Sequence, residues 1–334
     1  MAKKKKGNIA LKIISSVLCV LLVLVMFALI AFSVGENIVF ADFYSRADKE
    51  FKIPGLWTDS VPQGFEYMEE IELFMYTGYQ KDEVSPSVVY LMPEDGEGEA
   101  RKVELFNKDG SNYTEHVGGI TVYEGYVYIC ATKNSLDIFE LSDVLDSDNK
   151  ATKIDTLEVG FDVAFCEVRG DKLYAGNFYR AVDYETPENH HITTPTGDKN
   201  TAVIYQYSLD FETGYVKSTH PEKVYSITDA IQGMTFTDDG RIILSTSWGL
   251  TKSHIYVYDE SLADTAEFDY NGKKLPLTYL DSKCLVQDIV APPMAEEIVY
   301  DDGDVYILTE AASMKYLFGK ITGASWCYAY ELDD

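Results

Sequence analysis

The sequence is poor in cysteine, with five residues in 334 and no Cys-x-x-Cys spacing. Zinc sites built on cysteine need ligands in closely spaced pairs, so the chain lacks a cysteine metal motif. A chain of this length also buries a large core without disulfide bonds. We therefore expect Cys130 and Cys166, which fall in strand-like runs, to be buried thiols rather than a bridge.

Motifs of common enzymatic chemistry are also missing. The chain has no Gly-x-Ser-x-Gly, no P-loop, no dinucleotide fingerprint and no Ser-His-Asp order. A calcium loop of the Asp-x-Asp-x-Asp-Gly type is absent, because residues 146–149 lack the glycine and the distal glutamate. We therefore predict no cofactor and no metal-ligating residues, and keep a divalent cation only as an alternative.

Basic side chains are scarce outside the N-terminus. Five of the 28 lysines and arginines lie within the first 35 positions, whereas all 55 aspartates and glutamates follow them. The remainder therefore carries a net charge of −32. Such a domain repels nucleic acid and anionic lipid, so we predict no nucleic-acid partner. The same charge is compatible with a merely solvated acidic surface and with attraction for cations or basic partners.

The N-terminus carries a basic cluster at residues 3–6 and an almost wholly apolar run over residues 9–34. About 20 apolar residues cross a bilayer, and basic residues stay on the cytoplasmic side. We predict a cytoplasmic tail over 1–8, a single-pass signal-anchor over 9–34, a membrane-proximal stalk over 35–61 and an extracytoplasmic domain over 62–334 at the cell membrane. The alternative is a cleaved signal peptide, whose apolar core usually has about 7–15 residues before a small-x-small site.

The repeated unit of the chain is clearest at residues 232–259. Apolar and polar residues alternate over 232–237, the turn Asp238-Asp239-Gly240 follows, and two further β-type runs come after it. An Asp-Gly pair between β-branched or aromatic runs predicts a tight hairpin, because glycine adopts positive φ at little cost. Three successive antiparallel strands are predicted here.

The same layout recurs from five starting positions, which are Gln63, Gly118, Cys166, Gln232 and Glu296. A fourth strand fits after most copies, at 102–106, 154–159, 223–227 and 275–280. Four-stranded units repeated at about 40–50 residues are typical of a β-propeller. We therefore predict an all-β fold, a five-bladed β-propeller of four-stranded antiparallel blades, preceded by one N-terminal transmembrane helix. The last unit lacks an outer strand, and either 38–42 or 51–55 is available to close the ring, the alternative being that this stretch is only a stalk.

Propeller topology brings certain polar residues to one mouth of the central channel. The starts of first strands, the ends of second strands and the loops that follow them share one face. The predicted ligand-binding residues on that face are Gln63, His116, Asn177, Gln232, Trp248, Glu296, Glu297 and Glu310. The long connection over 181–200 adds His190 and His191. The alternative is that polar side chains line the channel only because strands crowd there and water fills it.

Four segments carry a family resemblance: PQGF at 62–65, HVGGI at 116–120, and the stretches 232–249 and 292–316. With these motifs the chain resembles extracytoplasmic bacterial propeller proteins over about residues 53–330. More broadly it is similar to five-bladed propellers, which include glycan hydrolases, nucleotidases and sugar-binding lectins. The arabinan-cleaving members place three carboxylates, one per blade, around the channel.

The chain departs from that arabinan-cleaving pattern. Glu296, Glu297 and Glu310 belong to a single unit, and the other units start with glutamine, glycine or cysteine and not with a carboxylate. Glycoside hydrolysis needs two carboxyl groups flanking the scissile bond. The departure counts against this chemistry, and a shared fold does not imply a shared function.

Three functions remain open. The first is a binding module for an envelope glycan or a membrane-protein partner, with Trp248, Tyr79 and Tyr316 as stacking groups. The second is a hydrolase or lyase for a carbohydrate or ester, with Glu297 or Glu310 as acid/base and His116 as its partner. The third is a rigid platform for an assembly. The absence of catalytic motifs favours the binding module.

Overall fold

A computed structural model describes residues 2–96 and 99–333. It begins with helix α1 (Ala2–Val39), in which Leu11–Val39 is long and apolar enough to cross a membrane. The apolar side chains of this span are exposed. Its length and composition fit a membrane anchor and a signal sequence equally well.

The segment after α1 is folded onto the domain. It contains α2 (Ala41–Tyr44) and β1 (Ala47–Lys52). Phe40 and Phe43 are buried, and the Phe43 ring lies 5.8 Å from Tyr328 and 5.4 Å from Tyr330. The connection between helix and domain is therefore short and held by packing.

The rest of the described chain consists mainly of strands. These are β2 (Ser60–Met68), β3 (Leu73–Gln80), β4 (Val88–Pro93), β5 (Arg101–Phe106), β6 (Ile120–Tyr123), β7 (Tyr126–Lys133), β8 (Ser135–Glu140), β9 (Lys150–Glu158), β10 (Val163–Arg169), β11 (Lys172–Asn177), β12 (Ile192–Thr193), β13 (Lys199–Asn200), β14 (Ala202–Ser208), β15 (Lys223–Ile227), β16 (Ile231–Phe236), β17 (Ile242–Thr246), β18 (Ser253–Tyr258), β19 (Thr265–Tyr270), β20 (Lys273–Tyr279), β21 (Leu285–Ala291), β22 (Ala295–Asp301), β23 (Asp304–Thr309) and β24 (Trp326–Glu331). Helical turns between them are α3 (Leu141–Leu145) and the 3-10 turns Glu69–Ile71, Glu188–His190, Glu260–Leu262 and Leu317–Ile321.

The strands form antiparallel units of four in a propeller-like arrangement. In chain order the units are β2-β3-β4-β5, β6-β7-β8-β9, β10-β11-β14-β15, β16-β17-β18-β21 and β22-β23-β24-β1. The first strands β2, β6, β10, β16 and β22 each pack against the next, and β22 returns to β2. Because β1 pairs with β24, the N-terminal side of the chain supplies the outer strand of the last unit.

Burial along the strands follows from this stacking of units. Every residue of β17, Ile242–Thr246, is buried, because neighbouring units cover both faces of a middle strand. The outer strand β9 (Lys150–Glu158) instead mixes buried and exposed positions. The predicted hairpin between β16 and β17 is confirmed, and Gly240 adopts φ 97° in its turn.

One predicted outer strand is wrong. The stretch 275–280 does not complete the unit that begins at Ile231. It belongs to β20, which forms a hairpin with β19 and pairs in parallel with β15 of the preceding unit. The outer strand of the β16 unit is β21, ten residues further on, which pairs with β18. Both stretches are short runs rich in apolar residues, LPLTYL at 275–280 and LVQDIVA at 285–291, so the choice depends on which neighbour each one pairs with.

The structure also shows the state of two thiols and the conformation of the long connection over 181–200. Cys130 and Cys166 are free and buried, as predicted. The connection over 181–200 contains the 3-10 turn Glu188–His190 and the short hairpin of β12 with β13. It is therefore a structured insertion.

Candidate functional site

A cavity of about 330 Å³ opens at one end of the channel, where the first strands begin and the second strands end. We call this end of the propeller the mouth face. Five of the predicted residues line the cavity, namely Gln63, His116, Gln232, Trp248 and Glu310. Residues of all the four-stranded units contribute, because Ala164 and Phe178 come from the β10 unit. A volume of this size is at the small end of the range of ligand pockets.

Irregular register at the start of the first strands aims side chains into the cavity. The pairing shifts between Pro62 and Phe65 in β2, and between Ile231 and Gly233 in β16. The same irregularity occurs at equivalent positions in β10 and β22. Bulges of this kind re-aim side chains and are common beside functional sites. They place Gln63 and Gln232 at the mouth.

A carboxyl group and an ammonium group form the polar wall of the cavity. The Gln63 amide Nε2 donates to Glu310 Oε2 at 3.2 Å. Burial raises the pKa of Glu310 to about 7, against the opposing effects of the Lys315 charge and hydrogen bonds from Tyr316 and Gln63. The Lys315 ammonium donates to the Tyr79 hydroxyl and lies 5.0 Å from the centre of the Tyr316 ring. Glu310 therefore changes charge near neutral pH.

His116 lies on this wall as a neutral imidazole. Its ring stacks on Tyr79 with 4.2 Å between centroids. Surrounding protein atoms, which displace water from the ring, and the Lys315 charge lower the pKa of His116 to about 4, while the residue stays open to the cavity. Among residues 2–96 and 99–333 it makes no hydrogen bond to a carboxylate. The predicted pairing of His116 with an acid/base glutamate is therefore not seen as a contact.

A group of aromatic rings around Trp248 forms another wall of the cavity. Trp248 lies 6.1 Å from Phe178 and 6.0 Å from Tyr184, measured between ring centroids. The Arg180 guanidinium covers the indole at 4.6 Å. Trp248, Tyr79 and Tyr316, the predicted stacking groups, all line the cavity. The sequence reasoning missed Phe178, Tyr184 and Lys315, which lie on loops without periodicity.

Glu297 does not line the cavity but fills the channel below it. Its Oε2 accepts hydrogen bonds from the backbone N–H groups of Phe65 and Ile120, both at 3.0 Å, and its Oε1 accepts one from Cys166 at 3.4 Å. These donors sit on β2, β6 and β10. One carboxyl group thus joins the first strands of three other units. Burial raises its pKa well above the ordinary range.

Glycines make room for this carboxyl group. A Cβ on Gly64 would lie 2.7 Å from the backbone of Gly119, and one on Gly233 would lie 2.6 Å from Glu297 Cα. Real Cβ atoms do not approach other atoms so closely, so the inner strands pack at a distance that only glycine permits. The glycines near the channel entrance thus serve strand packing around Glu297.

Glu296 differs from its neighbour. It is buried close to Glu310 and Lys315, and its carboxylate makes no hydrogen bond within the described part of the chain. Burial and the Glu310 charge raise its pKa well above the ordinary range. Glu296 therefore lies just behind the polar wall, without lining the cavity.

Asn177 and His190 lie inside the β10 unit and not at the mouth, where the sequence predicts them. The Asn177 side chain accepts from Val203 N at 2.8 Å and contacts His190 Nδ1 at 3.0 Å, so both of its polar ends are used. Burial lowers the pKa of His190 to about 4, and the ring packs edge-on against Phe161. His191 is exposed and contacts Thr186.

The opposite end of the channel is acidic. A second cavity of about 360 Å³ is lined by Glu66, Glu167 and Asp301 among others. Glu66 accepts from Tyr67 N at 2.9 Å and Val122 N at 3.1 Å, and burial raises its pKa to about 7. Among the described residues no group of three or more His, Cys, Asp or Glu side chains is arranged to hold a metal ion.

No family model matches the chain, and no curated protein matches it. Solved structures with a similar backbone are β-propeller proteins. The PQQ-bound aldose sugar dehydrogenase of Streptomyces coelicolor shares 16% identity at TM-score 0.44, over 79% of this chain and 78% of its own. Glutaminyl cyclase of Myxococcus xanthus shares 8% at TM-score 0.41, over 86% and 95%. The WD40 propeller domain of Doa1 shares 11% at TM-score 0.39, over 82% and 79%. These likenesses concern the fold and say nothing about activity.

Proposed function

We propose that the chain is a membrane-anchored, extracytoplasmic five-bladed propeller that binds a small carbohydrate-like ligand in the mouth cavity. One observation carries the proposal: every four-stranded unit contributes to a single cavity that combines amides, an imidazole, a carboxyl group and an ammonium group with aromatic rings. Concave, partly apolar cavities with a few convergent polar groups are the usual form of small-ligand sites.

Two features support the proposed architecture: the packing of the first strands supports five blades, and the N-terminal sequence supports the membrane anchor. Five first strands pack in a closed cycle, and β1 supplies the last outer strand. The basic cluster at residues 3–6 precedes the apolar span, which favours a cytoplasmic N-terminus and an external domain. A single helix then holds the propeller at the cell membrane.

The ligand class follows from the two walls. A sugar ring presents C–H faces that pack on aromatic rings such as Trp248, and hydroxyl groups that bond to amides and carboxyl groups such as those of Gln63 and Glu310. The Glu297 carboxyl group fills the channel beneath, which favours a short ligand that ends in the cavity. An envelope glycan terminus fits these features, and so does a glycosylated membrane-protein partner.

A hydrolase or lyase is the second candidate. The specific observation that favours it is Glu310, a cavity-lining carboxyl group with a pKa of about 7 beside the buried Glu296. A carboxyl group poised near neutrality suits general acid/base catalysis. No second carboxylate faces it across the cavity among the described lining residues, which favours binding over turnover.

Calorimetric titration of the full chain in nanodiscs with mono- and disaccharides tests the proposal. We expect saturable binding that W248A abolishes. F211A is the matched control, because Phe211 is an exposed aromatic residue of the opposite face. Absence of binding to every sugar, or equal loss in F211A, would contradict the proposal. Product formation that E310Q removes while binding persists would establish the second candidate.

A further inference from the structure

Large apolar side chains are exposed at loop tips of the mouth face. Trp57 is 79% exposed, Val84 69%, Val182 87% and Leu250 67%. Trp57 precedes β2, and the other three lie in loops between the second and third strands of their units. The opposite face exposes Ile71, Leu262 and Val286 by 47–48% and Phe211 by 71%. The mouth-face group is therefore the more exposed one, and a group of exposed apolar residues marks an interaction surface.

The membrane-spanning helix leaves the domain at this same face. The end of α1 and Leu250, Pro292 and Pro293 line a cleft of about 540 Å³. Pro292 and Pro293 immediately precede β22, so they belong to the mouth face. Phe40 and Phe43 are buried in the domain directly after the helix. No long linker therefore separates the span from the mouth face.

Charge differs between the two faces. The turns between first and second strands place many acids on the opposite face, among them Glu69, Glu70, Glu124, Asp171, Asp238 and Asp301. The mouth face has basic groups with no carboxylate at ion-pair distance in the described chain, namely Lys81, Arg180, Lys252, Lys315 and Lys320. Lys320 Nζ lies 4.0 Å from the centre of the Trp57 ring. The mouth-face loops also carry acids, among them Asp59, Asp82, Glu83, Asp162, Asp183, Glu185, Glu188 and Asp229, so apolar contact and not charge is the main contribution there.

We infer that the mouth face rests on the bilayer that holds α1, with Trp57, Val84, Val182 and Leu250 in its interfacial layer. The inference rests on the proposed membrane anchoring. Tryptophan and lysine are favoured at the membrane interface, where one end of the side chain is apolar and the other meets water. The acidic opposite face points to solvent. Ligands therefore reach the cavity from the head-group region of the membrane.

Site-directed spin labelling of the full chain in phosphatidylcholine nanodiscs tests this orientation. Labels are placed by V84C, V182C and L250C in a C19S background, because the other cysteines are buried. F211C is the matched control, since Phe211 is 71% exposed on the opposite face. We expect oxygen to collide with the three mouth-face labels more often, relative to a water-soluble nickel complex, than with the control. Equal ratios at all four positions would overturn the inference.

Tryptophan quenching by brominated phosphatidylcholine gives a second readout. We expect quenching that W57F reduces. Unchanged quenching in W57F would also overturn the inference. Failure of the proposed function gives a different result. It would show as absent sugar binding in the calorimetric titration, or as a mature chain from which α1 has been cleaved, whatever the label positions report.

Discussion

Glu296 and Glu297 are adjacent in one strand, yet they belong to two different regions of the channel. Glu297 lies in the channel centre, where three backbone N–H groups bond to its carboxyl group. Glu296 lies at the mouth, where it faces the charges of Glu310 and Lys315 and makes no hydrogen bond in the described chain. The register of β22 is irregular between Ala295 and Ile298, and such a bulge re-aims side chains, so one residue can hold the fold while the next stays free for chemistry.

The largest expected effect follows from removal of the Glu297 side chain in the channel centre. E297A should lower the free energy of unfolding by about 3–6 kcal/mol, because it leaves three buried N–H groups without partners and opens a cavity. E296A is the matched control one residue away, and it should cost less than about 1 kcal/mol, since it removes a buried carboxyl group without partners. Urea unfolding of the full chain in detergent, followed by tryptophan fluorescence, measures both. Equal costs would contradict the assigned difference between the two residues.

The glycines around Glu297 give the next largest effect. G64A should destabilise the domain by about 2–3 kcal/mol, because the added methyl group meets the Gly119 backbone, which has no room to move away. G35A is the control, because a Cβ there meets nothing within 4 Å. The same urea unfolding assay checks it, and an unchanged midpoint for G64A would show that the inner strands are not in close contact.

The free energy of unfolding should depend on pH through Glu310 in the mouth cavity, and the E310Q variant should lack this contribution. The pKa of Glu310 is about 7 in the folded chain, above its unfolded value, so the folded state holds the proton more tightly. Stability should therefore fall as pH rises from about 4.5 to 7, by about 1–2 kcal/mol after allowance for partial exposure. E310Q should make this fall smaller and leave the part due to Glu66, whose pKa is also raised to about 7. Parallel curves for both proteins would place the titration elsewhere.

The fold was largely predictable because its signals are local. Asp239-Gly240 between apolar runs located β16 and β17, and the recurrence of that pattern gave the other first and second strands. The sequence did not show that β21, and not 275–280, is the outer strand of the β16 unit, because both stretches are short runs rich in apolar residues. Their roles depend on pairing with β15 or β18, which are distant contacts.

The site was predictable where the repeat fixes position. Gln63 and Gln232 occupy equivalent bulged positions, so topology alone brought them to one cavity. Asn177 also ends a second strand, but the buried His190 ring turns its amide inward, and no sequence pattern encodes that contact. Lys315 was missed because it follows β23 in an irregular loop.

The smallest expected effect tests whether the Lys315 charge acts only on groups in the mouth cavity. K315M removes the charge that helps to lower the pKa of His116, so this pKa should rise by less than about one unit, as expected for loss of one partly screened charge. The imidazole proton signals in NMR titrations measure it. His190 is the matched control, because its pKa is also about 4 but is lowered by burial and His191. A shift confined to His116 would show that Lys315 acts within the cavity; equal shifts of both histidines would point to a change in the whole domain.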